Sequence, residues 1–153
     1  MKSRSFKRPE SVLVVVYTDA GEVLMLLRRT PRHFWQSVTG SLEWGESPRR
    51  AAVRELWEET GLRAGGHLED WHHSERFPIV PPWRSRYAPG SRYNREHWFG
   101  LRLPTRRTIR LNPAEHTRLR WLPVSRAARL ARSWTNRDAI LRLQGAGFRT
   151  LLR

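Results

Sequence analysis

Three glutamates near the middle of the chain have a spacing that would place their carboxylates on one face of a helix. Glu55, Glu58 and Glu59 stand three and four positions apart, and residues with this spacing are neighbours on a helical surface. Like charges so placed destabilise a helix by roughly 0.2–0.5 kcal/mol per pair. Hard cations such as Mg²⁺ prefer oxygen ligands and keep waters that substrate phosphates can replace. The cluster therefore indicates metal and phosphate chemistry, with a solvated surface helix as the alternative.

The residues around the glutamates predict where this helix begins and ends. Ser47 is a good N-cap, and Pro48 suits the first helical position, where its missing N–H costs nothing. Gly61 provides a stop at the C-terminal end. We expect the face opposite the glutamates to pack on a core, and its members are Val53, Leu56, Trp57 and Thr60.

The whole segment from Gly40 to Leu62 resembles the Nudix box and meets every specified position of that motif. Its pattern is G-x5-E-x7-R-E-U-x-E-E-x-G-U, where U is an aliphatic residue. The resemblance implies metal-dependent hydrolysis of a nucleoside diphosphate that is linked to another moiety. It also implies an α/β/α sandwich with a mixed sheet and a catalytic loop–helix–loop. Gly40 would let the loop backbone turn tightly, and Glu46 would brace that loop.

The resemblance also assigns catalytic roles within the box. Glu55 and Glu59 correspond to the main metal ligands, and Glu58 to a third carboxylate that either binds metal or takes the proton of the attacking water. Arg54 would orient Glu55 or a neighbouring carboxylate through a charge-assisted hydrogen bond. Mg²⁺, for which Mn²⁺ can substitute, would neutralise the polyphosphate and lower the pKa of a bound water.

A narrower resemblance covers nearly the whole chain and points to the bacterial Nudix enzymes that act on dihydroneopterin triphosphate. It rests on the order and spacing of residues 6–9, 23–29, 34–41, 86–90, 98–99, 115–116 and 133–137. It implies a further metal ligand at Glu115. It implies substrate contacts at Lys7, Arg28, Thr39, Phe77, Pro78, Ile79, Val80 and Ser133. Pro78 and the pair at positions 81 and 82 depart from the pattern of these enzymes.

The function implied is release of pyrophosphate from dihydroneopterin triphosphate, leaving the monophosphate, as a step of folate biosynthesis. The flat pterin would need an aromatic or apolar slot, for which the candidates are Trp35, Phe77, Tyr87 and Trp98. The alternatives are a Nudix pyrophosphatase for other (d)NTPs, including 8-oxo-dGTP or an RNA 5′ end, and a non-catalytic domain that binds nucleotide or nucleic acid. The complete set of box glutamates argues against a pure binding module.

Composition limits the remaining possibilities. The 153 residues predict a single domain, 1–153, and the absence of cysteine excludes disulfides and thiol chemistry. The net charge is +15, and Lys2 and Lys7 are the only lysines. Because the arginines are dispersed, we favour codon bias over specific nucleic-acid binding, although a positive field would also attract a triphosphate. The expected partner is therefore a small pterin or nucleoside triphosphate, and the sequence leaves the oligomeric state open.

The apolar segments predict neither a leader nor a membrane span. The basic start is followed only by the short apolar run 12–17, without a small-residue cleavage site. No stretch reaches the roughly 18–20 apolar residues that cross a bilayer. We therefore expect a cytoplasmic protein.

Elsewhere the patterns predict strands at 11–18, 23–28, 96–103 and 118–122, a short strand within 33–39, another within 64–74, an irregular loop at 77–90, and helices at 124–132 and 136–144.

Overall fold

The first strand, β1 (Glu10–Thr18), runs through the middle of a mixed sheet in the computed structural model, which describes residues 6–145. Residues 1–5, part of the basic start, lie outside the described residues. The apolar side chains of β1 alternate between two cores, Val12 and Val14 facing one and Leu13 and Val15 facing the other. Because both faces are covered, the strand has a continuous apolar sequence.

The other strands pair around β1. They are β2 (Glu22–Arg28), β3 (Trp35–Gln36), β4 (Val38–Ser41), β5 (Leu68–Pro78), β6 (Tyr93–Leu103) and β7 (His116–Pro123). β1 pairs antiparallel with β2 and β4 and parallel with β6. β2 also pairs with β3 and β7, and β5 lies beside β6 at the edge. The mixed sheet and the β1–β2 hairpin confirm the predictions.

Helices cover both faces of this sheet. Helix α1 (Pro48–Thr60) packs on the Val12 face, whereas α3 (Val124–Leu130) and α4 (Trp134–Leu141) pack on the Leu13 face. A short helix, α2 (Pro81–Arg84), follows β5, and a 3₁₀ turn at Arg142–Gly145 follows α4. The α/β/α sandwich is thus confirmed. None of the helices within residues 6–145 has the length and apolar character needed to cross a bilayer.

The predicted ends of α1 are confirmed. The Ser47 side chain accepts a hydrogen bond from Arg50 N–H, and Pro48 opens the helix. Gly61 has a φ of 75° and donates its N–H to the Trp57 carbonyl at 2.9 Å. A left-handed residue of this kind costs glycine little, which is why it ends the helix cleanly.

The predicted packing face of α1 is wrong in part. Leu56 and Thr60 are buried, but Val53 is 41% exposed and Trp57 is 40% exposed. The buried face instead consists of Ala51, Ala52, Glu55, Leu56, Glu59 and Thr60. The helix is therefore rotated so that small residues and two carboxylates face the sheet. The guanidinium groups of Arg63 and Arg110 cover the Trp57 ring at 4.6 and 4.8 Å.

The segment predicted as the irregular loop 77–90 is more regular than expected. β5 begins at Leu68 and continues to Pro78, and α2 follows at Pro81. Pro78 is tolerated because β5 is an edge strand, where a missing N–H breaks no inner ladder. Helix α3 ends at Leu130, two residues before the predicted end. Helix α4 begins two residues earlier than predicted, because Ser133 caps it.

Candidate metal and phosphate site

Helix α1 turns two of its three glutamates into the fold and leaves the third at the surface. Glu59 is 1% exposed and Glu55 is 8% exposed, whereas the Glu58 side chain is half-exposed. Glu59 accepts a hydrogen bond from the Thr39 backbone. Its Oε1 has no hydrogen-bond partner among the described residues. An orphaned buried carboxylate oxygen is costly in a folded protein and points to a missing ligand.

The charges of the buried carboxylates disfavour one another. Burial raises the pKa of Glu55 to about 8; Arg54 opposes this shift, while Glu58 and Glu115 add to it. Burial, with the charges of Glu55 and Glu115, also raises the pKa of Glu59 well above its ordinary value. A divalent cation between these groups would remove both the repulsion and the orphaned oxygen.

Strand β4 approaches α1 so closely that any side chain at position 40 would meet the Glu55 carboxylate. Gly40 pairs with Val12 inside the sheet, and a β-carbon on it would lie 1.6 Å from Glu55 Oε2. The prediction that Gly40 permits a tight turn is therefore wrong. Its function is to leave room for the Glu55 carboxylate against the strand.

Arg54 ties the loop before α1 to the helix. Its Nε and Nη2 donate to the two oxygens of Glu46 at 2.9 and 2.8 Å, and Nη2 also donates to the Ser41 carbonyl at 3.0 Å. Its Nη1 donates to Glu58 Oε1 at 3.0 Å and lies 3.5 Å from Glu55 Oε1. These hydrogen bonds, first of all that to Glu46, raise the pKa of Arg54. Arg54 thus contacts both Glu55 and the neighbouring Glu58, the two alternatives that the resemblance left open, and Glu46 is placed where it braces the loop.

The loop before β7 brings Glu115 to the buried carboxylates. Ligand atoms of Glu59, Glu115 and His116 lie within 4.8 Å of one another, and Glu55 lies outside this group of three. His116 Nε2 is 4.0 Å from Glu59 Oε1 and 3.1 Å from Gln36 Nε2. Burial, together with the charge of Arg28, lowers the pKa of His116 to about 4, so the ring is neutral near pH 7.

A group of cations faces the acidic cluster. The Arg28 guanidinium lies over the rings of Trp83 and Phe34, at 5.1 and 5.8 Å from their centroids. Arg86 lies over the same Trp83 ring at 5.7 Å, and the Lys7 N–H donates to the Arg86 carbonyl at 2.8 Å. Burial and the neighbouring arginines Arg86 and Arg28 lower the pKa of Lys7. In the described part of the chain, Lys7, Arg28 and Arg86 form no salt bridge, which leaves them available for an anion.

Among the other predicted substrate residues, the side chains of Thr39 and Ser133 make hydrogen bonds within the fold, and the segment 77–80 is partly exposed. The Thr39 hydroxyl donates to the Val12 carbonyl at 2.9 Å, and Ser133 Oγ accepts from Asn136 N–H at 3.2 Å as the cap of α4. In the segment 77–80, Ile79 is buried, Phe77 is intermediate, and Pro78 and Val80 are exposed.

The four aromatic candidates for a pterin slot do not share one environment. Trp98 is buried in the core beneath α4 and stacks on His73 at 4.3 Å. Trp35 is partly buried against the same core. Burial raises the pKa of Tyr87, whose hydroxyl hydrogen-bonds to Ser41 beside Gly40.

Comparisons with known proteins agree with this architecture. Residues 7–144 match the model of the NUDIX domain family. The dihydroneopterin triphosphate diphosphatase of Escherichia coli is 46% identical over 92% of this chain and 95% of its own length. The enzyme of the same name from Haemophilus influenzae is 40% identical over 88% of this chain and 87% of its own. The structure of the E. coli dihydroneopterin triphosphate pyrophosphohydrolase superposes with a TM-score of 0.86 at 44% identity, covering 92% of this chain and 99% of that chain.

Proposed function

Since this chain belongs to the Nudix family, we propose that it is a Mg²⁺-dependent hydrolase that converts dihydroneopterin triphosphate to dihydroneopterin monophosphate and pyrophosphate. Relatives with that activity in their names are 40–46% identical over most of both chains. The observation that supports this chemistry is that the buried, mutually repelling carboxylates of Glu55 and Glu59 lie beside cations that have no acidic partner within residues 6–145. We further propose that the chain forms one Nudix domain acting in the cytoplasm.

The residues present suit a divalent metal. The orphaned Glu59 Oε1 and the neighbouring carboxylates of Glu55 and Glu115 would hold the ion through oxygen atoms, which both Mg²⁺ and Mn²⁺ accept. The Gln36 amide nitrogen has no lone pair to share, so His116 Nε2 must accept its hydrogen bond and is engaged. His116 Nε2 therefore has no free lone pair for the ion, and we assign the metal ligands to the three carboxylates. When bound, the ion neutralises phosphate charge and acidifies a coordinated water.

The protein groups then position the substrate and move one proton. Lys7 and Arg28 hold the phosphate oxygens, and Arg86 extends this positive group. A water oxygen bonds to one of the two phosphorus atoms of the α,β-anhydride, the anhydride bond breaks with its electron pair on the departing phosphate oxygen, and the products are the monophosphate and pyrophosphate. Glu58, half-exposed and oriented by Arg54, accepts the proton released by the water. Holding charge in place in this manner supplies most of the catalysis of phosphoryl transfer.

A substrate panel tests this function. We expect kcat/KM for dihydroneopterin triphosphate to exceed that for ATP, GTP, the dNTPs, 8-oxo-dGTP and 5′-triphosphate RNA when pyrophosphate release is measured with Mg²⁺. Chelation should abolish turnover, and either Mg²⁺ or Mn²⁺ should restore it. Glu59→Gln should be inactive, while Glu22→Gln, which alters an exposed ion pair with Arg106, should match the wild type. A higher kcat/KM on RNA or on a dNTP would replace the proposed substrate with that one.

A further inference from the structure

A buried carboxylate that the hydrolysis does not use lies on β6, beneath α4. Glu96 is 5% exposed, and its Oε1 accepts a hydrogen bond from Trp98 Nε1 at 3.2 Å. The Thr135 side chain on α4 also hydrogen-bonds to Glu96. Burial raises the pKa of Glu96 to about 7. No described cation forms a salt bridge with it, so its charge is unbalanced.

Asn94 lies on the same face of β6, two residues before Glu96. Its Nδ2 donates to Ser11 Oγ at 2.8 Å. Its Oδ1 is buried and has no hydrogen-bond partner within residues 6–145. Side chains at i and i+2 of a strand point the same way, so the Glu96 carboxylate and the orphaned Asn94 oxygen lie on the same face of the sheet. Asn94 Oδ1 lacks a donor, whereas Glu96 has the two donors named above and lone pairs that can accept more.

These two acceptors are flanked by residues for which substrate contact was predicted. Phe77 on β5 pairs directly with Asn94, so its ring shares the face of the sheet that carries both acceptors. On the other side, Ser133 Oγ is 3.4 Å from Thr135 Oγ1, and Thr135 contacts Glu96. Glu96 and Asn94 thus form a polar strip between Phe77 and Ser133.

The chemistry of the strip suits one kind of heterocycle. An ionised carboxylate has about four lone-pair positions, and Trp98 and Thr135 occupy two of those on Glu96. A 2-amino-4-oxopyrimidine ring, the half of a pterin that also occurs in guanine, presents a ring N–H and an amino N–H side by side. A carboxylate accepts such a pair in bidentate fashion. The second amino hydrogen would satisfy the orphaned Asn94 Oδ1.

Building on the proposed function, we propose that Glu96 and Asn94 select the substrate by accepting hydrogen bonds from the 2-amino edge of its heterocycle. Such a site rejects analogues that lack the donors, because their buried acceptors then stay unpaired. The selectivity of the enzyme would therefore be set on the face of the sheet opposite the box helix, while the metal and phosphate groups act on any triphosphate.

The test compares GTP with inosine triphosphate, which differ only in the 2-amino group, alongside dihydroneopterin triphosphate. For the wild type, kcat/KM for GTP should exceed that for inosine triphosphate by about 10–100-fold, the range expected for hydrogen bonds to a charged group. Glu96→Gln should remove most of this ratio, mainly through the KM for GTP, with inosine triphosphate little affected. Asn94→Ala should reduce the ratio less. Glu22→Gln is the control, because Glu22 lies in an exposed ion pair with Arg106, away from Glu96.

Each outcome bears on only one of the two proposals. A wild-type enzyme without preference for GTP over inosine triphosphate overturns the inference, as does a folded Glu96→Gln protein that keeps the preference. The wild-type measurement needs no variant, so it can overturn the inference even if Glu96→Gln fails to fold, and Asn94→Ala then tests the assignment of residues. A wild type that prefers GTP to inosine triphosphate but does not hydrolyse dihydroneopterin triphosphate would overturn the proposed function. It would leave unaffected the inference that Glu96 and Asn94 recognise the 2-amino group.

Discussion

At the scale of single residues, Glu115 brings a carboxylate from the loop before β7 next to those of helix α1. Its carboxylate lies within 4.8 Å of ligand atoms of Glu59 and His116, although it stands 56 positions after Glu59, the last glutamate of the box. We predict that Glu115→Gln lowers turnover by at least the roughly 10–100-fold that loss of even an outer-shell group costs at metal sites. It should also raise the Mg²⁺ concentration needed for half-maximal activity.

The same prediction has a second part, which a double-mutant cycle measures. If Glu59 and Glu115 hold one metal cluster, the double variant should be little worse than the more impaired single variant. Turnover of all four proteins, measured across a Mg²⁺ titration, provides the cycle. Rate losses that multiply independently, or a silent Glu115→Gln, would place Glu115 outside the metal site.

The buried Glu55 carboxylate should make the stability of the metal-free protein depend on pH. Its pKa in the folded metal-free protein is about 8, against an ordinary 4.5, so the folded state binds a proton more tightly than the unfolded state. Below about pH 4.5 both states are protonated and the shift costs nothing. As pH rises through about 8, the folded state must ionise a buried group and loses stability. One unit of pKa shift is worth about 1.4 kcal/mol, so Glu55→Gln should stabilise the metal-free protein at pH 8 by at least about 1 kcal/mol.

Thermal unfolding with chelator present, at pH 5 and at pH 8, checks this expectation. The gap in Tm between Glu55→Gln and wild type should be small at pH 5 and open at pH 8. Added Mg²⁺ should close or invert it, because the ion stabilises only the protein that retains the carboxylate. A variant that is less stable than wild type at pH 8 without metal would show that Glu55 is not strained in the fold.

At the scale of elements, the contact between β4 and α1 depends on Gly40. A β-carbon there would lie 1.6 Å from Glu55 Oε2, so Gly40→Ala must displace either the carboxylate or the strand. Misplacing a metal ligand by about 1 Å can cost on the order of 10²-fold in rate. We predict a loss of that size in kcat for Gly40→Ala, with retention of the fold.

Gly66→Ala is the matched control for this substitution. Gly66 also has no left-handed φ, and a β-carbon on it would meet nothing within 4 Å. The two variants should therefore differ in kcat but have the same secondary structure, as measured by circular dichroism. Full activity in Gly40→Ala would mean that the Glu55 carboxylate can occupy another position without loss.

The ends of α1 could be predicted from the sequence, whereas its orientation could not. Ser47, Pro48 and Gly61 act through local backbone geometry, which short-range chemistry determines. Which face packs depends on partners distant in sequence, and a helical pattern read alone assigns the larger apolar side chains to the core. Here Val53 and Trp57 are exposed because the site requires Glu55 and Glu59 to be turned inward.

In the candidate site, too, contacts between residues distant in sequence could not be predicted. The box residues have a fixed local spacing, and the family resemblance supplied Lys7, Arg28 and Glu115. The contact of Gln36 with His116 spans 80 positions, and Arg86 reaches the site only through the fold of α2 and the Trp83 ring. Gln36, Arg86 and His116 belong to segments on which the family resemblance rests, but their contacts could not be predicted, because strand pairing and loop docking bring them together.

At the scale of the whole molecule, the +15 net charge is distributed rather than gathered into one binding surface. Arg102 and Arg106 pair with Asp19 and Glu22, and Arg142 lies over the Trp71 ring at 5.5 Å. Arginines also surround a shallow hollow of about 180 Å³ between β7 and α3, which is lined by Arg120, Leu122, Arg126, Arg129 and Leu130. That hollow would be the first place for a nucleic-acid phosphate to bind.

We predict that this charge gives weak, sequence-independent binding to nucleic acid. Non-specific complexes of this kind have Kd values of roughly 10⁻⁴–10⁻⁶ M at physiological salt, and each phosphate contact adds about 0.9 to the slope of log K against log salt. Filter binding with unrelated DNA and RNA sequences across a salt titration should therefore give similar, steeply salt-dependent affinities. A paired Arg126→Ala and Arg129→Ala variant should lower the slope by about two without altering hydrolysis, because neither residue is part of the catalytic site. Nanomolar binding that discriminates between sequences would contradict this prediction and would show that the arginines form a recognition surface.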